Sequence, residues 1–209
     1  MQPTGDLCGL EYRPGHESCT RSYVWPAVIQ LLGPANDRHL LDAGCGGGSF
    51  CEHLESLGFH ASGFDTSESA IAIAADKVRT GRVVRASAYD DLRRTFGRRF
   101  DAVTALEVIE HLYDPRAFLR RVRDLLAPGA PLVLSTPHHG FLKNLALAVS
   151  GKLDDHFTVL WDGGHIKFFS ARTIRRMLEE CGYRVVQIRG VGRLPGLWKS
   201  MVVLAVKTD

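Results

Sequence analysis

A chain of 209 residues, 45% hydrophobic and 23% charged, is long enough to bury one substantial core and reads as a single domain over 1–209. A formal net charge of +3 is mild and gives no reason to expect a nucleic-acid partner. No apolar run is long enough to span a bilayer or resembles a secretory leader. The five cysteines, Cys8, Cys19, Cys45, Cys51 and Cys181, show neither C-x-x-C spacing nor an even framework, and are expected to be reduced thiols of a cytoplasmic protein.

In chain order, the polar stretch Met1–Cys19 is expected to be a mobile lead-in. Tyr23–Leu32 reads as a helix with Pro26 near its first turn, ended by Gly33-Pro34. Together these make 1–35 a candidate lid segment, with Tyr12, His16 and Arg21 near the helix. Leu40 and Leu41 begin a short buried strand that closes on Asp42. The turn Gly44-Cys45-Gly46-Gly47-Gly48 follows, and Phe50–Leu57 reads as an amphipathic helix. Strand, glycine turn and helix open a nucleotide-binding βαβ unit. The glycines permit positive φ and a close approach of ligand to backbone. A dinucleotide fingerprint begun at Gly44 needs glycine or alanine at position 49, where Ser49 stands. An acid at the mouth, Asp42, suits a cationic ligand better than a pyrophosphate.

Gly58–Phe64 is predicted as the second strand, ending at Asp65 in position to accept hydrogen bonds from ribose hydroxyls. Ser67–Val78 is a helix with Ser67 as N-cap, and Gly81–Arg85 a third strand. Phe100–Leu106 is a fourth, and Pro115–Leu126 a helix closed by Pro128-Gly129. Ala130–Thr136 is a fifth strand and Thr173–Glu180 another helix. Tyr183–Ile188 and Met201–Val206 are paired antiparallel at the sheet edge. The alternation of strand and helix implies an α/β, mostly parallel sheet covered on both faces.

In such a sheet ligands bind beyond the carboxyl ends of the strands. Asp42, Asp65, Ser87, Glu107 and Thr136 all follow strands and collect on one rim. Glu107, Glu110 and His111 form E-x-x-E-H, which a helical turn puts on one side. Two carboxylates beside an imidazole make a hard-metal or an acid/base cluster, with His165 in GGHIKFFS as a fourth member. The segment 137–169 is read as a substrate-side insertion over the acceptor pocket. It holds His138-His139, the apolar Phe141–Val149, Asp154-Asp155-His156 and Trp161-Asp162. The apolar stretch either packs on the domain or meets a hydrophobic acceptor tail.

The pattern LLDAGCGGG with Asp65 after the second strand resembles the first motifs of class I S-adenosylmethionine-dependent methyltransferases. LEVIEHLYDP with GGHIKFFS resembles the ubiquinone-biosynthesis O-methyltransferase branch, and is similar to the small-RNA 3′-terminal 2′-O-methyltransferases. The resemblance covers Leu40–Ser170. It implies a Rossmann-like seven-stranded sheet with a reversed terminal hairpin, and S-adenosylmethionine as cofactor. Gly44, Gly46 and Gly48 would pass its methionine and ribose portion, Asp42 would lie near the methionyl ammonium, and Glu107 would touch the cofactor. The family's adenine-contacting acid is absent here, leaving Ser87 or the backbone of Ala88, with Tyr89 beside the ring. Glu107, Glu110, His111 and His165 would hold a divalent cation such as Mg²⁺ or Mn²⁺. Without metal, His111 or His165, with Glu110, serves as acid and base.

The expected reaction is O-methylation of a small-molecule hydroxyl. N- or C-methylation fits the same scaffold. RNA-end methylation would need a basic, aromatic track, and Arg93-Arg94, Arg98-Arg99 and Arg120-Arg121 read as solvated faces. A cofactor-binding subunit that scaffolds a partner is the non-enzymatic alternative. The sequence leaves the oligomeric state open.

Overall fold

The computed structural model describes residues 19–157, 160 and 163–208. Tyr12, His16 and most of the lead-in, together with Trp161-Asp162, lie outside the described residues. Seven strands form one sheet: β1 (His39–Ala43), β2 (His60–Asp65), β3 (Val83–Arg85), β4 (Ala102–Leu106), β5 (Pro131–Pro137), β6 (Tyr183–Val191) and β7 (Ser200–Lys207). Their order is β3-β2-β1-β4-β5-β7-β6. The first five are parallel, and β7 runs antiparallel to both β5 and β6. The chain winds outward from β1 in both directions, so the crevice between β1 and β4 is the topological switch point where such sheets bind ligands.

Burial along the strands sorts the two faces. Leu132 and Leu134 join a cluster with Leu41, Val103 and Tyr183 that packs on α5 (Pro115–Leu125) and α8 (Ala171–Glu180). Val133 lies in a second cluster with Leu40, Ala61 and Val202, covered by α1 (Arg21–Leu32) and α2 (Ser49–Ser56). α3 (Glu68–Lys77) buries Ala70 and Ala74, and Ser67 caps it by accepting from the Ala70 N–H at 3.2 Å. Two short elements escape the pattern reading, α4 (Leu92–Phe96) and α7 (Leu153–Phe157), while the helical turn expected at E-x-x-E-H forms as a 3₁₀ turn over Ile109–His111. α4 and α7 have five residues each, too short to show a helical period.

One expectation changes. α1 begins at Arg21, so Pro26 sits inside the helix and not in its first turn. Its Val24 and Val28 are fully buried against the sheet, so the helix of the candidate lid segment packs on the fold. Arg21 lies over the Trp25 ring at 4.6 Å, a cation–π contact on the same helix. The insertion carries α6 (Phe141–Val149), whose Phe141, Leu142, Leu145 and Val149 are exposed. No described helix is long and apolar enough to cross a membrane.

The loop between β1 and α2 sets a tight limit on side chains. Gly48 holds the left-handed conformation at φ 75° as the N-cap of α2, and a Cβ there would meet the Ala74 backbone at 2.9 Å. Gly48→Ala is expected to cost roughly 1–2 kcal/mol from the backbone conformation alone, with the contact to α3 added. A lowered urea midpoint at unchanged slope checks this; an unchanged midpoint contradicts it.

Candidate active site

The glycine loop hangs from the end of β2. The Gly44 and Cys45 N–H groups both donate to the Phe64 carbonyl, at 2.8 and 2.9 Å. The Gly46 N–H donates to Asp65 Oδ2 at 2.9 Å, and the Ser67 N–H to Asp65 Oδ1 at 2.9 Å. Asp65 thus ties the loop to the cap of α3. Gly44 has φ 74°, and a Cβ on it would overlap Val108 at 2.6 Å. The loop is packed from beneath as well as bent.

Asp42 lies under this loop, 3% exposed. Its register partner on β4 is Thr104, whose hydroxyl donates to Asp42 Oδ1 at 2.7 Å. Burial pushes the Asp42 carboxyl up to about 7, against the opposing pull of the Thr104 hydrogen bond. An acid held at that threshold ionises readily when a cation arrives.

After β3 the chain makes a tight turn. The Ser87 N–H donates to Asp90 Oδ2 at 2.8 Å, and Ser87 Oγ accepts from the Tyr89 N–H at 3.2 Å. The main-chain N–H and hydroxyl of Ser87 are therefore used within the turn, while Ala88 is buried beside it. The Tyr89 hydroxyl accepts from the Asp114 N–H at 3.0 Å, fixing this turn against the start of α5.

The exit of β4 divides the E-x-x-E-H motif. Glu107 adopts φ 56°, a strained conformation for a side-chain-bearing residue, of a kind that clusters at functional sites. Ser135 Oγ accepts from the Glu107 N–H at 3.0 Å and donates to Glu107 Oε1 at 2.7 Å. Ser200 reaches Oε2 at 3.4 Å. That twist turns Glu107 toward β5 and β7, away from the other two motif residues. Among the described residues the metal-competent group is Glu110, His111 and His165, with donor atoms within 4.8 Å of one another. Glu107, expected as a fourth ligand, is not brought into it. The reason is the positive φ, which no pattern of residue types displays.

Glu110 is fully buried, and among the described residues its carboxylate oxygens make no well-formed hydrogen bond, with only the Thr136 hydroxyl close enough to ease the burial. Burial, with the charge of Glu107 added, raises its pKa well above the usual carboxylate range. Its main-chain carbonyl accepts from the Ile166 and Lys167 N–H groups at 2.9 and 3.0 Å, which pulls the GGHIKFFS loop onto the turn. His165 Nε2 then stands 4.0 Å from Glu110 Oε1, and the His165 and His111 rings meet edge to face at 4.8 Å. His111 Nδ1 faces the Gly163 and Gly164 carbonyls at 3.2 and 3.3 Å. Two acceptors there require Nδ1 to carry the proton, so Nε2 is the basic nitrogen. Burial lowers the pKa of His111, and takes His165 down to about 4 with the help of His111, His156 and Lys143. Both imidazoles are neutral bases at pH 7.

The insertion closes this side. His139, taken by burial to a pKa of about 3, packs among His156, Phe157 and Phe168. His138 turns the other way, onto Trp198. The two adjacent histidines do not converge as ligands. Sequence reasoning gave no role to Lys143, which is 8% exposed and donates from Nζ to the His138 carbonyl at 3.0 Å. Burial lowers its pKa, while the charge of Glu107 supports the ammonium. A lone lysine in FLKNLALAV was its only signal.

A βαβ glycine loop, an acid closing β2 and a reversed terminal hairpin define a class I S-adenosylmethionine-dependent methyltransferase. Residues 19–188 match the model of the methyltransferase domain family, and the chain belongs to that family. It is 31% identical over 187 residues to the ubiquinone biosynthesis O-methyltransferase of Azorhizobium caulinodans, covering 85% of this chain and 70% of that protein. The protein of the same name from Bradyrhizobium diazoefficiens is 39% identical over 126 residues, 59% of this chain and 49% of that one. In fold, it is similar to magnesium protoporphyrin IX methyltransferase from Synechocystis PCC 6803 with bound S-adenosylhomocysteine. That match has a TM-score of 0.66 at 20% identity, and covers 88% of this chain and 81% of the other.

Because Asp42 ionises near pH 7, affinity for S-adenosylhomocysteine, whose ammonium is a cation, is expected to rise with pH across that value. Below it the carboxyl is neutral and offers the cation less. Calorimetric titration across about pH 6 to 8 checks the slope, which Asp42→Asn should flatten. A wild-type slope of the opposite sign refutes the placement of Asp42.

Proposed function

We propose that this protein transfers the methyl group of S-adenosylmethionine to a hydroxyl oxygen of a small, partly hydrophobic acceptor. The observation that carries this reading is Glu110, fully buried with no well-formed hydrogen bond to its oxygens among the described residues, beside two neutral imidazoles. A buried acid so poorly partnered needs a reason to persist, and deprotonating a hydroxyl supplies one. The names of the relatives, ubiquinone biosynthesis O-methyltransferases, agree with oxygen as the acceptor atom. The exposed apolar side of α6 agrees with a hydrophobic acceptor. The arginine pairs Arg93-Arg94, Arg98-Arg99 and Arg120-Arg121 are exposed on α4, α5 and a nearby loop, in keeping with solvated faces and with a small acceptor in preference to an RNA end. Reduced, largely buried cysteines suit a cytoplasmic setting.

In this reading Asp65 holds the ribose diol, Asp42 favours the methionyl ammonium, and the loop amides exclude side chains from the donor. Gly44, Gly46 and Gly48 line its path, Ala88 contributes the wall at the adenine, and Glu107 borders the cofactor side through Ser135 and Ser200. The donor arrives already activated, so the protein's work is alignment and removal of one proton. His165 takes that proton at its ring nitrogen, and Glu110, 4.0 Å away with its pKa raised by burial, takes the proton on when its carboxylate is ionised. His111, locked by the two glycine carbonyls, fixes the geometry of the pair.

The same donors fit a divalent cation: one carboxylate oxygen of Glu110, Nε2 of His111 and a ring nitrogen of His165. Such an ion would supply Lewis acidity toward the acceptor hydroxyl. The poorly partnered oxygens of Glu110 are what favour this second form of the reading.

Release of S-adenosylhomocysteine is expected with at least one of a panel of catechols, other phenols and hydroxylated lipids. Glu110→Gln and His165→Ala should each lower kcat by about a hundredfold or more, with donor affinity unchanged. Stimulation by Mg²⁺ and loss on EDTA treatment establish the metal form; indifference to both establishes the metal-free form. Donor binding with no turnover on any acceptor overturns the enzymatic reading and supports a scaffold subunit.

A further inference from the structure

On the α8 face of the sheet, beyond the histidine cluster, lies a cavity of about 410 Å³ that the proposed chemistry does not use. Its volume falls in the range of small-molecule sites, roughly 300–1,000 Å³. Trp198, Ile188 and Met201 supply an apolar wall, and His138, Arg172 and Arg175 a polar one. The Trp198 ring lies against the backbone of Gly190, where a Cβ would overlap the indole, and meets the His138 ring edge to face at 5.4 Å. The platform is therefore built by the fold.

The polar wall is short of partners. His138 is 7% exposed, and its Nδ1 is buried with no hydrogen-bond partner. Arg172 and Arg175 stand one turn apart on α8, so their side chains share a face. Arg175 makes a 3.4 Å hydrogen bond to the Val185 carbonyl and a 3.7 Å ion pair with Glu179, both long. Arg172 forms no hydrogen bond or ion pair among the described residues. Two guanidinium forks and an imidazole over an indole plane suit a carboxylate or phosphate carried on a flat apolar body.

We propose that this cavity binds an organic anion, an aromatic carboxylate or phosphate monoester, with its charge on Arg172, Arg175 and His138 and its ring on Trp198. The cavity is coupled to the catalytic cluster through two chain segments. His138 and His139 are adjacent, and the His139 N–H donates to the Phe169 carbonyl at 2.9 Å. The loop that carries His165 runs through Phe169 into α8, where the arginines sit. The anion is accordingly either a remote group of the acceptor or a separate small ligand. The first of these rests on the methyltransfer reading; the existence of the site does not.

The full chain, with and without S-adenosylhomocysteine, is to be titrated with benzoate and with phenyl phosphate. Saturable uptake of one anion per chain is expected by calorimetry, with a shift of the Trp198 indole N–H resonance. Arg172→Gln with Arg175→Gln, two exposed positions, should weaken that uptake about tenfold or more and leave S-adenosylhomocysteine affinity unchanged. No saturable uptake, or uptake equal in the double variant, overturns the proposal. Each acceptor that is turned over is then compared with its carboxylated analogue. A preference for the carboxylate that the double variant loses assigns the anion to the acceptor. Uptake of benzoate without such a preference assigns it to a separate ligand. Anion uptake in a chain that binds no S-adenosylhomocysteine would overturn the methyltransfer reading and leave this site standing.

Discussion

The attachment of the glycine loop to the last two residues of β2 is the constraint from which the rest of the site follows. Gly44, Cys45 and Gly46 give three successive amides to the Phe64 carbonyl and the Asp65 carboxylate. A loop held this way cannot drift from the second strand, so the Asp65 carboxylate and the glycine backbone keep one spacing. Asp65 also binds the Ser67 amide, and Ser67 caps α3. One carboxylate thus joins loop, strand and helix. Preorganisation of this kind costs nothing at the moment of binding.

Polar burial is concentrated at the carboxyl ends of the central strands. Asp42, Thr104, Glu110, Ser135 and Thr136 are all buried there, while the body of the sheet is apolar. Asp42 with Thr104 and Glu107 with Ser135 are partnered pairs; Glu110 is the exception. Placing a poorly partnered acid between neutral imidazoles has a cost in stability. The return is a set of proton acceptors whose pKa values are moved apart by burial, the arrangement that acid–base chemistry requires.

Much of this architecture was legible in residue order. Glycine density after Asp42, the acid after the second strand and the strand–helix alternation sufficed for the class of sheet, because turn chemistry and hydrophobic period are local properties. The short helices α4 and α7 escaped, being shorter than the period that would reveal them. The convergence of His165 on Glu110 was anticipated from GGHIKFFS, and two amides bonded to the Glu110 carbonyl bring it about. Glu107 was read both as a cofactor contact and as a fourth ligand, and the choice between them turns on a backbone φ of 56° that residue types do not display.

From residue order came the strand–helix alternation along the whole chain and the glycine loop with its flanking acids, the latter encoded within a few dozen consecutive residues; the seven-stranded sheet and the donor came from the resemblance those motifs carry. Only the folded chain decided which acids keep company. Asp42 and Thr104 are 62 positions apart and face one another because β1 pairs with β4 in that register. His138 and His139, adjacent in sequence, look into different compartments because neighbours along an extended chain point to opposite sides. Burial, and with it the charge state of every group at the rim, is a property of what packs on top, and that is settled by contacts between segments far apart in the chain.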